Sequence, residues 1–373
     1  GNRSIAQAAE LLASSPVRHS LGVCSPVAPD VALPPPKGSY LVYLDVWQRH
    51  ITALEAPPIR EVALGGPDTA TRTKTVWQVK LLQVPAQTAC NADLGEWDAL
   101  IAPSGGKLAA RAEPGEDDKS PCVVAPGAGY RRLENQLYRV EVHDGGALGT
   151  ASFKWSRDNG SVVVACSGIS GNDLIVASTG RDQTLGFATG LWVELTDDTH
   201  ELAGVPGTLV QLTNVKTNAL TVDPGSATGS LDVAKDFPNN TKVRRWDTPD
   251  GSAKVAVPSS NGGWLKLEDG VEIKFSGANF RSGDYWLIPA RTANLIASAG
   301  VEWPRDAVTD VPLAQAPGGI AHRYARLAVV EFDGASFKVM EDCRKLFPPL
   351  TELDDPDGWH KMHNRYLHGW GVV

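Results

Sequence analysis

Between positions 71 and 81 the chain alternates with a period of two. Thr71, Thr73, Thr75, Trp77, Val79 and Leu81 fall on one parity, and Arg72, Lys74, Gln78 and Lys80 on the other. A strand segregates such a pattern onto two faces and a helix cannot. The segment therefore predicts a half-buried β-strand whose charged face, with Arg72, Lys74 and Lys80, meets solvent or another subunit. Gly65-Gly66-Pro67-Asp68 just before it has the composition of a tight turn and no phosphate-loop spacing.

The same grammar recurs along the chain. Residues 40–47 are apolar on both parities, as in a strand covered on both faces. In residues 136–143, Tyr138, Val140 and Val142 share one face and Arg139, Glu141 and His143 the other. Residues 153–156 and 162–165 flank Asp158-Asn159-Gly160, which predicts a hairpin. Three short apolar runs at 191–195, 207–213 and 219–222 predict a small inserted SH3-like barrel. Residues 271–275, 285–288 (closed by Pro289) and a hairpin around Asp333-Gly334 extend the β pattern. The fold class expected is mainly β, a multi-domain sandwich and barrel scaffold with short terminal helices.

Its expected organisation is an N-terminal helix and proline-rich arm (1–36) and a first β domain (37–187) with a long loop at 85–130. A small barrel (188–225), a second β region that completes the first (226–350) and a C-terminal helix and tail (351–373) follow. Ser4 and Gln7 form a capping box for the first helix, and Pro34-Pro35-Pro36 makes an extended arm. Both ends read as cut from a longer polypeptide.

Composition limits the function classes. Of 373 residues, 42% are hydrophobic, enough for packed cores, and the net charge of -8 argues against a nucleic-acid partner. No apolar run reaches the roughly 18 residues a transmembrane helix needs. Five cysteines form no CxxC pair, so zinc has no framework. Cys90 and Cys122, on either side of the long loop, are the expected disulfide.

No motif announces a reaction. There is no GxSxG. His360 and His363 share a helical face near Asp354, Asp355 and Asp357, but a metal-dependent hydrolase would need further ligands, and surface histidines on a capped helix are the simpler reading. Glu194, Asp197, Asp198 and Glu201 are too close in sequence for facing glycosidase carboxylates or a calcium cage, and read as a solvated acidic corner. The basic run Lys242, Arg244 and Arg245 reads as a solvated strand. Eleven tryptophans are a surplus. Trp47, Trp77, Trp155, Trp192 and Trp286 sit in strand patterns that favour burial; Trp264 and Trp286 are the candidate glycan contacts. No cofactor and no catalytic residue is expected.

Six phrases taken together, at 40–47, 60–77, 134–141, 153–160, 283–291 and 343–350, resemble an uncharacterised bacterial family associated with phage-tail-like and contractile-injection-type gene neighbourhoods. They cover most of residues 40–350 in order. The resemblance implies a non-enzymatic structural or interaction subunit of an extracellular filament or particle that self-associates or meets other assembly subunits. A carbohydrate-binding or carbohydrate-processing surface is the alternative, and a metal-dependent hydrolase the second.

Overall fold

The computed structural model describes residues 36–59, 71–112, 129–180, 182–248, 252–259, 263–292 and 300–344. The expected N-terminal helix and nearly all of the arm, Cys122, and the terminal helix with His360 and His363 lie outside them. In chain order the described strands are β1 (Gly38–Ile51), β2 (Arg72–Val84), β3 (Gly106–Ala112), β4 (Gln136–Asp144), β5 (Ser152–Ser156), β6 (Val163–Ser170), β7 (Asp173–Val176), β8 (Trp192–Thr196), β9 (Thr208–Lys216) and β10 (Ala219–Asp223). After these come β11 (Lys242–Trp246), β12 (Val255–Ala256), β13 (Leu265–Lys266), β14 (Val271–Gly277), β15 (Tyr285–Ala290), β16 (Arg323–Phe332) and β17 (Phe337–Asp342). Short helices occupy Gly95–Ile101, Asp198–Ala203 and Val233–Asp236. The protein is mainly β.

Three bodies follow from how these strands pair. The first is an antiparallel sheet in the order β17-β16-β1-β2. Its long β1 is apolar on both parities because both faces are covered. Tyr40 and Val42 join one buried cluster, and Leu41 and Tyr43 join another with Trp97 of the Gly95–Ile101 helix. The β16–β17 hairpin forms around Gly334 as expected, with Phe332 opposite Phe337.

A sandwich is the second body, with the sheet β12-β5-β4-β15 packed on the sheet β13-β14-β3. Tyr138, Val140 and Val142 of β4, Phe153 and Trp155 of β5, and Ile273 and Phe275 of β14 share its core. Two expectations change here. The long loop at 85–130 contains a helix and β3; the latter's Gly-Lys-Leu-Ala-Ala-Arg-Ala is alanine-rich, a composition of low strand propensity. Pro289 does not close its strand. It lies within β15, at the edge of its sheet, where a missing N–H costs little.

Third comes a closed barrel of six strands, β10-β7-β6-β11-β8-β9, running from Val163 to Trp246. It contains the three expected short strands, but β6, β7 and β11 join them, so it takes in more chain than residues 188–225. The hairpin expected across Asn159-Gly160 does not form. Both residues have positive φ, 54° and 63°, so the turn chemistry is correct. The flanking strands part company after it: β5 pairs with β4 and β12, and β6 with β7 and β11. The turn carries the chain from sandwich to barrel.

The alternating strand that predicts so much is covered more fully than its pattern implies. Arg72 and Lys74 are exposed, yet Gln78 on the same parity is only 2% exposed, and Lys80 lies half-buried with its Nζ 3.0 Å from Asp45.

Candidate functional site

The alternation that sends Tyr138, Val140 and Val142 into the sandwich core sends Arg139, Glu141 and His143 the other way. Lys154 of β5, directly opposite Glu141, joins them. On the barrel, Val193, Leu195 and Val243 point inward, so Glu194 and Thr196 of β8 and Lys242 and Arg244 of β11 lie on the outside. These two polar faces are not solvated. They meet each other, and the far end of β1, with Trp47, Arg49 and His50, closes the third side. A cavity of about 110 Å³ is left at the junction.

Its walls are tied by ion pairs. Lys154 Nζ lies 2.6 Å from both carboxylate oxygens of Glu194, which also accepts from Trp246 Nε1 (2.8 Å) and from the Gly207 N–H (3.0 Å). Position 207 must be glycine for that approach, because a Cβ there would stand 2.4 Å from the Leu195 carbonyl oxygen. Arg139 pairs with Glu141 (2.7 Å) and stacks on Tyr285 (3.8 Å to the ring centre). Arg244 donates to Glu201 (3.1 Å), which Arg49 and Lys242 also bind. Lys242 reaches Glu55 (3.0 Å) and Asp198 (3.2 Å) as well.

The acidic corner and the basic strand, both expected to be solvated, are therefore partners. Asp197 is fully buried, caps the Asp198–Ala203 helix through the His200 N–H, and takes His200 Nδ1 at 2.8 Å. Lys242 and Arg245 are each 1% exposed. Their spacing held a signal: β8 and β11 are neighbours, and Glu194 stands opposite Arg244 in register. Only the pairing of strands 50 residues apart makes that visible.

Burial alone would raise the Glu194 carboxyl, but Lys154 and His143 outweigh it and hold it at about 2. Glu201 is pulled well below the carboxylate range by Arg49, Lys242 and Arg244 against the same burial. The imidazoles go the other way. Burial, then Arg244 and Arg139, brings His50 to about 3; burial, then Lys154, brings His143 to about 4. Both rings are neutral near pH 7. Neither ring nitrogen of His50, nor Nδ1 of the 3%-exposed His143, has a hydrogen-bond partner among the described residues. In the sequence His143 stands out only as a polar-face residue, and no local pattern marks His50.

The expected site residues are not brought together. Cys90 bonds Cys343, 253 residues away, and not Cys122, because β17 returns the chain beside the start of the helical connection. Trp286 is 2% exposed in the sandwich core, with Nε1 donating to the Gln315 carbonyl at 3.0 Å, so it is no glycan contact. Trp264 is half-buried beneath the Arg111 guanidinium, 4.1 Å from its ring centre. No group of three or more His, Cys, Asp or Glu could hold a metal ion among the described residues. No described helix is long and apolar enough to cross a membrane.

A protein-family model described as Family of unknown function (DUF6519) matches residues 9–101 and 99–353. The chain belongs to this family. No curated protein and no solved structure matches it. Every strand described above, and every wall of the cavity, falls within the part of this DUF6519 member that the family model covers.

Proposed function

We propose that the protein is a non-enzymatic interaction subunit of an extracellular filament or phage-tail-like assembly, joined to its neighbours by strand pairing. The observation that carries this reading is the edge of the first sheet. β2 is 13 residues long, pairs only with β1 among the described residues, and has Arg72, Thr73, Lys74 and Thr75 all exposed. Long open edges invite another strand; basic side chains such as Arg72 and Lys74 deter indiscriminate pairing and leave an acidic strand as the partner that answers them. A second copy of this chain, at net charge -8, would be drawn to such a basic edge.

Two further observations agree. The ionisable groups at the cavity are paired with one another or held neutral, which suits a rigid scaffold more than a general acid or base. The Cys90–Cys343 bridge suits oxidising surroundings, in keeping with a position outside the cell. The carbohydrate reading now rests on Trp264 alone, one face of which Arg111 already covers.

Light scattering across a wide concentration range, with electron microscopy of the same samples, tests the proposal. Concentration-dependent ordered oligomers are expected, and Thr73→Pro should reduce them without unfolding the chain. A single-chain mass throughout, with no assembled species on the grids, would sink it.

A further inference from the structure

We infer that the cavity between sheet, sandwich and barrel is a binding site for a small carboxylate, held by Arg139 and Arg244 and by the ring N–H groups of His50 and His143. The buried His143 ring lines this cavity with Nδ1 making no hydrogen bond, 3.9 Å from Glu194 Oε1, and His50 lines it with neither nitrogen hydrogen-bonded. Buried polar atoms left so are uncommon in folded proteins and ask for a partner. Each neutral imidazole has one N–H to donate and one nitrogen to accept.

The charges around the rings select the sign of the ligand. Four cationic residues line the space, Arg49, Arg139, Lys154 and Arg244, against three carboxylates, Glu141, Glu194 and Glu201. Arg244 and Arg139 face His50 against Glu55 and Glu201, and Lys154 faces His143 against Glu194 and Asp144. The lining thus carries one positive charge in excess. Behind the wall Lys242 faces Glu55 and Asp198, which leaves the wider cluster without surplus charge. The single positive charge in excess on the lining is what a monoanion answers and a dianion exceeds. Guanidinium groups recognise the planar carboxylate well, and the volume of about 110 Å³ limits the occupant to a small acid.

The test is a titration of the full chain, labelled at histidine, with acetate, lactate and glucuronate, followed through the imidazole signals in NMR. His50→Gln and His143→Gln assign those signals. Saturable movement of both rings is expected, with a dissociation constant on the order of 1 mM or tighter for the best carboxylate. Arg139→Gln should weaken binding at least tenfold; should that variant not fold, the wild-type titration still decides. Unmoved rings, or equal movement by chloride at matched ionic strength, would overturn the proposal. So would saturation by inorganic phosphate alone. The oligomer measurement above is independent of all these outcomes.

Discussion

Glu194 shows how much one side chain can hold in this protein. It lies on the barrel, receives Lys154 from the sandwich, and satisfies an indole and a backbone N–H of its own barrel segment. Removing its charge leaves Lys154 in a buried place with only Glu141, 3.4 Å away, to answer it. Breaking one partner of a buried pair typically costs about 3–5 kcal/mol. Glu194→Gln should lose that much in urea denaturation, and a loss below about 1 kcal/mol would show that the pair is not a structural tie. Acidity acts on the same residues. His50 and His143 take up protons near 6.5 in the unfolded chain and only near 3 and 4 when folded. Their stabilising effect is complete above pH 6.5 and drains as the pH falls. Glu194, ordinarily 4.5 and here about 2, works in the same direction at lower pH. Near pH 5 the unfolded state holds two more imidazole protons, a slope of about 2.7 kcal/mol per pH unit. Denaturation midpoints at constant ionic strength should fall accordingly between about pH 6 and pH 5, and His50→Gln should halve the slope. A flat profile would contradict the neutral assignment.

Among elements, the cross-link with the longest reach is Cys90–Cys343, spanning 253 residues. It ties the segment before the Gly95–Ile101 helix to the end of β17, where Arg326 also donates to the Cys90 and Ala92 carbonyls at 2.8 Å. Closing so long a loop is worth about 5 kcal/mol by the chain-entropy relation. Reduction, or Cys343→Ser, should lower the thermal midpoint by several degrees without changing the far-ultraviolet spectrum of the folded protein; an unchanged midpoint would mean the bridge adds nothing. This pairing also marks where sequence reading stops. Strand periodicity exposed β1, β2, β4 and the β16–β17 hairpin because their pattern is local. The linear interval alone points Cys90 to Cys122, whereas its partner is fixed by the return of β17. The Asn159-Gly160 turn was legible as a conformation, but which strands it joins depends on long-range pairing. β3 escapes the pattern because its alanines carry little strand preference. At the cavity, the polar parity of Arg139, Glu141 and His143 was read correctly; that it faces another polar wall is a fact about packing that no local pattern encodes.

For the molecule as a whole, the buried ion pairs decide whether three β bodies behave as three folding units or one. Each body has its own apolar core, and cores of that size could melt separately. The contacts between them argue otherwise. Lys154 of the sandwich is bound to Glu194 of the barrel, and Lys242 and Arg244 of the barrel reach acids that also bind Arg49 of the first sheet. If the barrel opened alone, Lys154 would lose its closest carboxylate and keep only Glu141 at 3.4 Å, and Arg49 would lose Asp198 and Glu201 and keep only Glu55 at 3.8 Å. That penalty, several kcal/mol per broken pair, is comparable to the stability of a small body by itself. Separate melting is therefore the costlier path, and differential scanning calorimetry at neutral pH should give one transition over the described bodies, with calorimetric and van't Hoff enthalpies in agreement. Lys154→Met combined with Glu194→Leu replaces the central pair by apolar groups but leaves the Trp246 and Gly207 N–H groups without their acceptor, and should cost about 1–3 kcal/mol for each while the tie through Arg49 and Glu201 stays in place. Removing Arg49 and Arg244 together strands Glu201 with Lys242 alone and should split the endotherm. Two resolved transitions in the unmodified protein would show that the polar faces merely touch, and that each β body stands on its own core.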